Sequence, residues 1–238
     1  MSVANNIGQR LHDVIWPNLV QPVPRDHEQP DPEFAWRRHT ALITLILGAV
    51  VLAVSLRVRP GSDAFYPLTL LLALIWTIGG FASGPLHLGY GPAGQRPVRV
   101  PLLIGLLAAG IFVLGALVVR EIGPLHDYVA HLLEHAARGS IGLIVIVTVL
   151  NGVAEEIYFR GALYAAIGRR RPVLISTIVY ALATGATGNP MLVFAAATLG
   201  TVLALQRRAS GGLLAGAITH VTWSVIMLFA LPPLFGVR

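Results

Sequence analysis

The chain has no cysteine, and its 17 basic residues are all arginine. The first absence excludes disulfides and thiolate metal sites. The second is what GC-rich codons give, and it points to a bacterial chain. Charge of either sign is scarce, at 12% of residues where a soluble domain carries about 25%. In its place stand 55% hydrophobic residues and a mean hydropathy of +0.72. Several windows of about 20 residues hold no charge, long enough to cross a ~30 Å hydrocarbon layer as helices. Membrane β-barrels would show alternating segments and not solid apolar runs. The pattern predicts an all-α, multi-pass transmembrane bundle. An isoelectric point near 10.5 would suggest nucleic acid in a soluble protein. Here the arginines sit at loops, and no nucleic-acid partner is expected. Residues 1–40 are polar and Pro-rich, so no cleavable signal peptide is expected.

The apolar runs predict about seven spans, near 40–57, 64–84, 100–119, 141–167, 172–188, 190–205 and 211–231. Ahead of them lies a segment, 1–39. It opens with an amphipathic stretch (Ile7, Leu11, Val14, Ile15) and continues as the Pro-rich linker VQPVPRDHEQPDPEF. Three spans fill 40–119. Residues 120–140 carry five charges and three histidines around the stripe Leu125, Val129, Leu132, Leu133 and Ala136. That composition predicts an interfacial amphipathic helix. Four further spans make up 141–231. With the N-terminus inside, the inner loops hold Arg37, Arg38, Arg96, Arg99, Arg169, Arg170, Arg171, Arg207 and Arg208. The outer loops hold Arg57, Arg59, Arg120, Arg138 and Arg238. That bias places the chain in a bacterial plasma membrane with a cytoplasmic N-terminus.

One stretch breaks the apolar rule. In NGVAEEIYFRGALYAAI, residues 151–167, Glu155, Glu156 and Arg160 lie inside a predicted span. Each ionised group there costs at least ~2.5–3.5 kcal/mol. Glu156 and Arg160 are four apart on one face, acid first, which suits an ion pair. Glu155 is turned about 100° away and is left to face a cavity. At ~1.5 Å per residue, Glu155 lies roughly 20 Å from the inner boundary, and His220 and Thr184 roughly 16 Å. Gly212, Gly216, His220 and Ser224 recur every four residues on the last span, and Ser176, Tyr180, Thr184 and Gly188 on the fifth. Two small, polar faces and a carboxylate at one level predict an intramembrane site. The bland reading is a buried ion pair and a histidine that serve helix packing alone.

EEIYFR has the EExxxR form, with aromatics Tyr158 and Phe159 before the arginine and Gly161 after it. THVTWS near the C-terminus is similar to a HxxxN motif. Together these resemble the CAAX protease and bacteriocin-processing family (Abi or Rce1-like) of intramembrane proteases, over about residues 140–230. The resemblance implies that Glu155 activates a water and that His220 stabilises an oxyanion. Glu156 and Arg160 would order the helix. Two motifs depart from the pattern. At the family's FxxxH motif, Tyr180 stands for the Phe and Thr184 for the His, and Ser224 stands for the final Asn. A serine hydroxyl can still donate; a threonine cannot activate water as imidazole does.

A second motif competes. His131, Glu134 and His135 form HLLEH, the HxxEH spacing of inverted zinc proteases. Its helix is short and a third ligand is missing, so a solvated helix face is the plainer account. The resemblance calls for no cofactor and leaves a divalent metal open. The expected function is a glutamate-dependent intramembrane endopeptidase acting on a membrane protein or peptide. The alternative is a catalytically weak or inactive relative that serves as a membrane scaffold or accessory subunit.

Overall fold

The structure is a computed structural model describing residues 31–138 and 140–237, together with 15–23 and the single positions 9, 12 and 13. Within the expected N-terminal amphipathic stretch, Ile7, Leu11 and Val14 lie outside the described residues, as do linker residues 24–30 and Arg238. Among the described residues, a π-helical turn, Trp16–Val20, precedes nine α-helices: α1 (Asp31–Ser55), α2 (Phe65–Ala82), α3 (Arg99–Val119), α4 (Gly123–Ala137), α5 (Ile141–Glu156), α6 (Tyr164–Ile167), α7 (Pro172–Gly185), α8 (Pro190–Ser210) and α9 (Leu214–Leu234). A second π-helical segment, Ile157–Leu163, joins α5 to α6 without a break. Among the described residues there is no strand.

Among the described residues, six helical stretches are long and apolar enough to cross a membrane, one of them the continuous run Ile141–Ile167. The fifth expected span is the exception. α7 has 14 residues, about 21 Å of rise against a ~30 Å layer. The turn after it is tied to α4, because Asn189 Nδ2 donates to the Tyr128 carbonyl at 2.9 Å. α4 thus covers the end that α7 does not reach. The expected span ran on to 188, but Gly185, Gly188, Asn189 and Pro190 are turn residues, and the helix stops at the first of them.

Two other boundaries differ from expectation. The linker ends sooner, since α1 starts at Asp31. Pro32 is tolerated in a first turn, where its missing N–H has no helical partner anyway. Arg37 then falls inside the helix, buried, with Nη2 on the Pro85 carbonyl at 3.0 Å. At the far end, Arg207 and Arg208 occupy the last turn of α8, not a loop. Cations there face the helix carbonyl end. The turn that follows is very tight. A Cβ on Gly212 would land on the backbone of Leu88 and Gly89, where the 83–98 loop pairs with it through Leu213 N–H to the His87 carbonyl and Tyr90 N–H to the Ser210 carbonyl.

Packing follows small residues and aromatics. On α3, Leu107, Ile111, Leu114 and Val118 are exposed, while Gly105, Ala109 and Ala116 are buried. The first stripe suits lipid; the second lets α9 approach. The core between α1, α2 and the π-segment is built on Trp76, stacked on Tyr158 at 4.5 Å between ring centroids. The Tyr158 hydroxyl is satisfied by the Ala41 carbonyl at 2.6 Å. On α4, Val129 and Leu133 are buried and Leu125 and Leu132 half-buried; the Ala136 side chain lies outside the described set.

Candidate functional site

The charged island sits where the α5 run widens into its π-segment. Such widened turns shift side chains off their regular positions and recur at functional sites. Glu156 and Arg160 are both fully buried and paired at 2.9 Å, Arg160 Nη1 to Glu156 Oε1. The same Oε1 meets His220 Nδ1 of α9 at 3.1 Å. Arg160 Nη2 donates to the Gly200 carbonyl of α8 at 3.0 Å. Arg207 Nε, near the end of α8, donates to the Arg160 carbonyl at 2.6 Å. One acid, one guanidinium and one imidazole therefore lock three helices together.

Glycines make this approach possible. A Cβ on Gly216 would lie 2.5 Å from Glu156 Oε2. A Cβ on Gly200 would lie 2.9 Å from Tyr180 Cδ1 and 3.3 Å from Arg160 Nη2. Neither position has room for a side chain without displacing the charged groups. Glu156 Oε2 and Arg160 Nε are buried without a hydrogen-bond partner among the described residues, so the cluster is held tightly but is incompletely satisfied.

Glu155 points elsewhere. It is half-exposed, and its Oε2 accepts a 2.6 Å hydrogen bond from the Tyr180 hydroxyl of α7. The Tyr180 ring packs on Phe159, 4.5 Å between centroids. The Arg160 guanidinium lies 4.8 Å over the same ring, within cation–π range. Glu155 thus meets α7, while Glu156 meets α9 directly and α8 through Arg160.

His220 comes to the level of the glutamates, and of the two it contacts Glu156. The reason is the turn between neighbouring residues: at about 100° per residue, α5 cannot present both carboxylates to α9. Thr184 is buried, but its hydroxyl donates to the Tyr180 carbonyl at 2.9 Å. Ser224 is half-buried, one turn beyond His220.

Two polar residues went unmarked in the sequence reading. Asn151 lies one turn before Glu155, on the same face. Its Nδ2 donates to the Val147 carbonyl at 3.0 Å, and its buried Oδ1 has no described partner. Its four-residue spacing to Glu155 was the available signal. Gln206, fully buried, donates to Thr219 Oγ1 at 2.8 Å, and Thr219 donates to the Pro101 carbonyl at 2.8 Å. Its place beside two arginines made it look like the end of a span.

The HxxEH histidines lie with ring centroids 5.8 Å apart, but both nitrogens of His135 are taken up by backbone carbonyls. His131 is exposed. His135 is buried with Nε2 2.9 Å from the Val58 carbonyl and Nδ1 3.3 Å from the His131 carbonyl. Its ring lies 5.1 Å from Phe65. Glu134 is half-buried beside them. Among the described residues, no group of three or more His, Cys, Asp or Glu could hold a metal ion. His135 ties α4 to the turn between α1 and α2.

The fold and this site define a multi-pass helical membrane protein with an acid–guanidinium–imidazole cluster buried among its spans. Residues 137–226 match the family model described as Rce1-like, type II CAAX prenyl endopeptidase Rce1-like. The matched stretch holds both glutamates, Arg160, Tyr180, Thr184, His220 and Ser224. No curated protein matches the chain, and no solved structure does.

Proposed function

We propose that the chain is an intramembrane endopeptidase in which Glu155 is the general base. The observation that carries this reading is the division of labour between adjacent carboxylates. Glu156 is buried and tied to Arg160 and His220, whereas Glu155 is half-exposed and has an oxygen to spare. A packing role accounts for the first and not for the second.

The chemistry follows from those positions. Glu155 takes a proton from water as the oxygen adds to a peptide carbonyl carbon. The carbonyl oxygen becomes an oxyanion, the C–N bond then breaks, and the proton passes to the leaving amine. Water is consumed, and one acid and one amine are released. His220, held at Nδ1 by Glu156, presents Nε2; as the imidazolium it donates from there. Two carboxylates, Arg160 and that imidazolium then sum to zero charge. The Ser224 hydroxyl is a second candidate donor. One oxyanion donor contributes about 2.7–4 kcal/mol in other hydrolases. The substrate class is a membrane peptide or protein, and the site lies within a bacterial plasma membrane whose cytoplasmic face receives the N-terminus.

A second reading, an inactive scaffold, draws on the Thr184 hydroxyl, which is engaged by its own helix and leaves no imidazole beside Glu155. The deciding experiment reconstitutes the full chain in vesicles with a quenched-fluorescent single-span peptide. Glu155→Gln should abolish cleavage, His131→Ala should leave it intact, and chelators should have little effect. Chelator sensitivity with His131 dependence would instead favour the HxxEH motif. Cleavage undiminished in Glu155→Gln would reject the proposal.

A further inference from the structure

We infer that Tyr180 is a positioning residue for Glu155, an inference that rests on the reading of Glu155 as the base. Its hydroxyl donates to Glu155 Oε2 at 2.6 Å, a distance typical of a strong hydrogen bond to a carboxylate. No described residue hydrogen-bonds the other oxygen, Oε1. The phenol therefore fixes the carboxylate plane and leaves one oxygen to take the proton of a water. A glutamate has three side-chain torsions, and without an anchor its carboxylate samples several orientations.

Tyr180 itself is held in place. It is buried, its ring packs on Phe159 at 4.5 Å, and Arg160 lies 4.8 Å above it. Gly200 is needed on the opposing helix because a Cβ there would strike the ring at 2.9 Å. Thr184 accounts for the next turn, where its hydroxyl donates to the Tyr180 carbonyl. A single aromatic side chain thus touches both halves of the site: its hydroxyl holds Glu155, and its face meets the guanidinium that holds Glu156. A purely structural tyrosine would be served as well by phenylalanine, which fills the same space and keeps both ring contacts. The hydroxyl is what distinguishes the two accounts.

The test compares the full-length protein with Tyr180→Phe and Glu155→Gln in vesicles, using a quenched-fluorescent single-span peptide and a farnesylated CAAX-type peptide as probes. Tyr180→Phe should keep KM and thermal stability and lower kcat by between about tenfold and a hundredfold, the range for a hydrogen bond to a charged group. Infrared difference spectra give a second readout that needs no turnover. The carboxylate band lost in Glu155→Gln should be displaced in Tyr180→Phe. An unmoved band, or a kcat within twofold of the natural protein while Glu155→Gln is inactive, overturns this inference and leaves the hydrolase reading standing. Cleavage that Glu155→Gln does not lower overturns the hydrolase reading and this one with it.

Discussion

Adjacent glutamates in one helix face different neighbours, and that difference makes their substitutions separable. Arg160 binds the Glu156 carboxylate and the Gly200 carbonyl with no exposure to solvent. Its loss strands a buried carboxylate, at a cost of about 3–5 kcal/mol. Arg160→Ala should therefore depress the thermal unfolding temperature in detergent, whereas Glu155→Gln should leave it within a degree or two. An amide at 155 still accepts from Tyr180, so nothing is stranded there. If Glu155→Gln proves the more damaging, the two carboxylates have exchanged roles. Gly216→Ala makes a stricter test of the same cluster. The added methyl would lie 2.5 Å from Glu156 Oε2, so this small change should destabilise about as much as removing Arg160. The ion pair was legible from the i,i+4 spacing alone. The His220 contact with Glu156 was not, because spacing gives faces and depths but not which of two neighbouring carboxylates a third helix meets. The Tyr180 contact was hidden for a related reason: the tyrosine was noticed as a stand-in for phenylalanine, and only the fold brings its hydroxyl to Glu155.

Helices carry the site by short, polar faces set in long apolar ones. α7 illustrates this. Ser176, Tyr180 and Thr184 are buried along one side while Leu174, Ile178 and Leu182 are exposed on the other. The apolar run made a span visible in the sequence. Its true end at Gly185 was not visible, since what stops it is the turn bound to α4 through Asn189. Thr184 follows Tyr180 by one turn on the buried side, so Thr184→His would set an imidazole next to the Glu155–Tyr180 pair. On the hydrolase reading, cleavage of the single-span peptide should rise severalfold. No gain in a folded variant would favour the scaffold. α4 is the counter-case, where a motif was legible but His135 spends both ring nitrogens on backbone carbonyls. His135→Ala should lower stability, because the ring bridges to the Val58 carbonyl, and His131→Ala, at an exposed position, should change neither stability nor cleavage. Both effects are readable from thermal unfolding of the purified variants.

The molecule as a whole sorts its arginines by end. Val23 N–H and the Val20 carbonyl meet Arg208, and the 83–98 loop meets the turn after α8. Arg37, Arg96, Arg99, Arg169, Arg170, Arg171, Arg207 and Arg208 thus share one end of the bundle. α4 and the turn between α1 and α2 share the other. The bundle and its helical class were legible from hydropathy, and the end-to-end pairing fits six described helical stretches long enough to cross a membrane and a short α7. The positive-inside tendency then predicts that a reporter after Gly211 reports the cytoplasm and one after Arg120 the opposite side. The same side for both would contradict the span order. Above topology stands the claim that this bundle hydrolyses a peptide bond through Glu155. Cleavage of the single-span peptide by the reconstituted chain in 18O-labelled water, followed by mass spectrometry of the products, tests it most directly. The account predicts one heavy oxygen in the new carboxyl terminus from the natural protein and no product from Glu155→Gln. Equal product from both proteins, or no product from either, would contradict it.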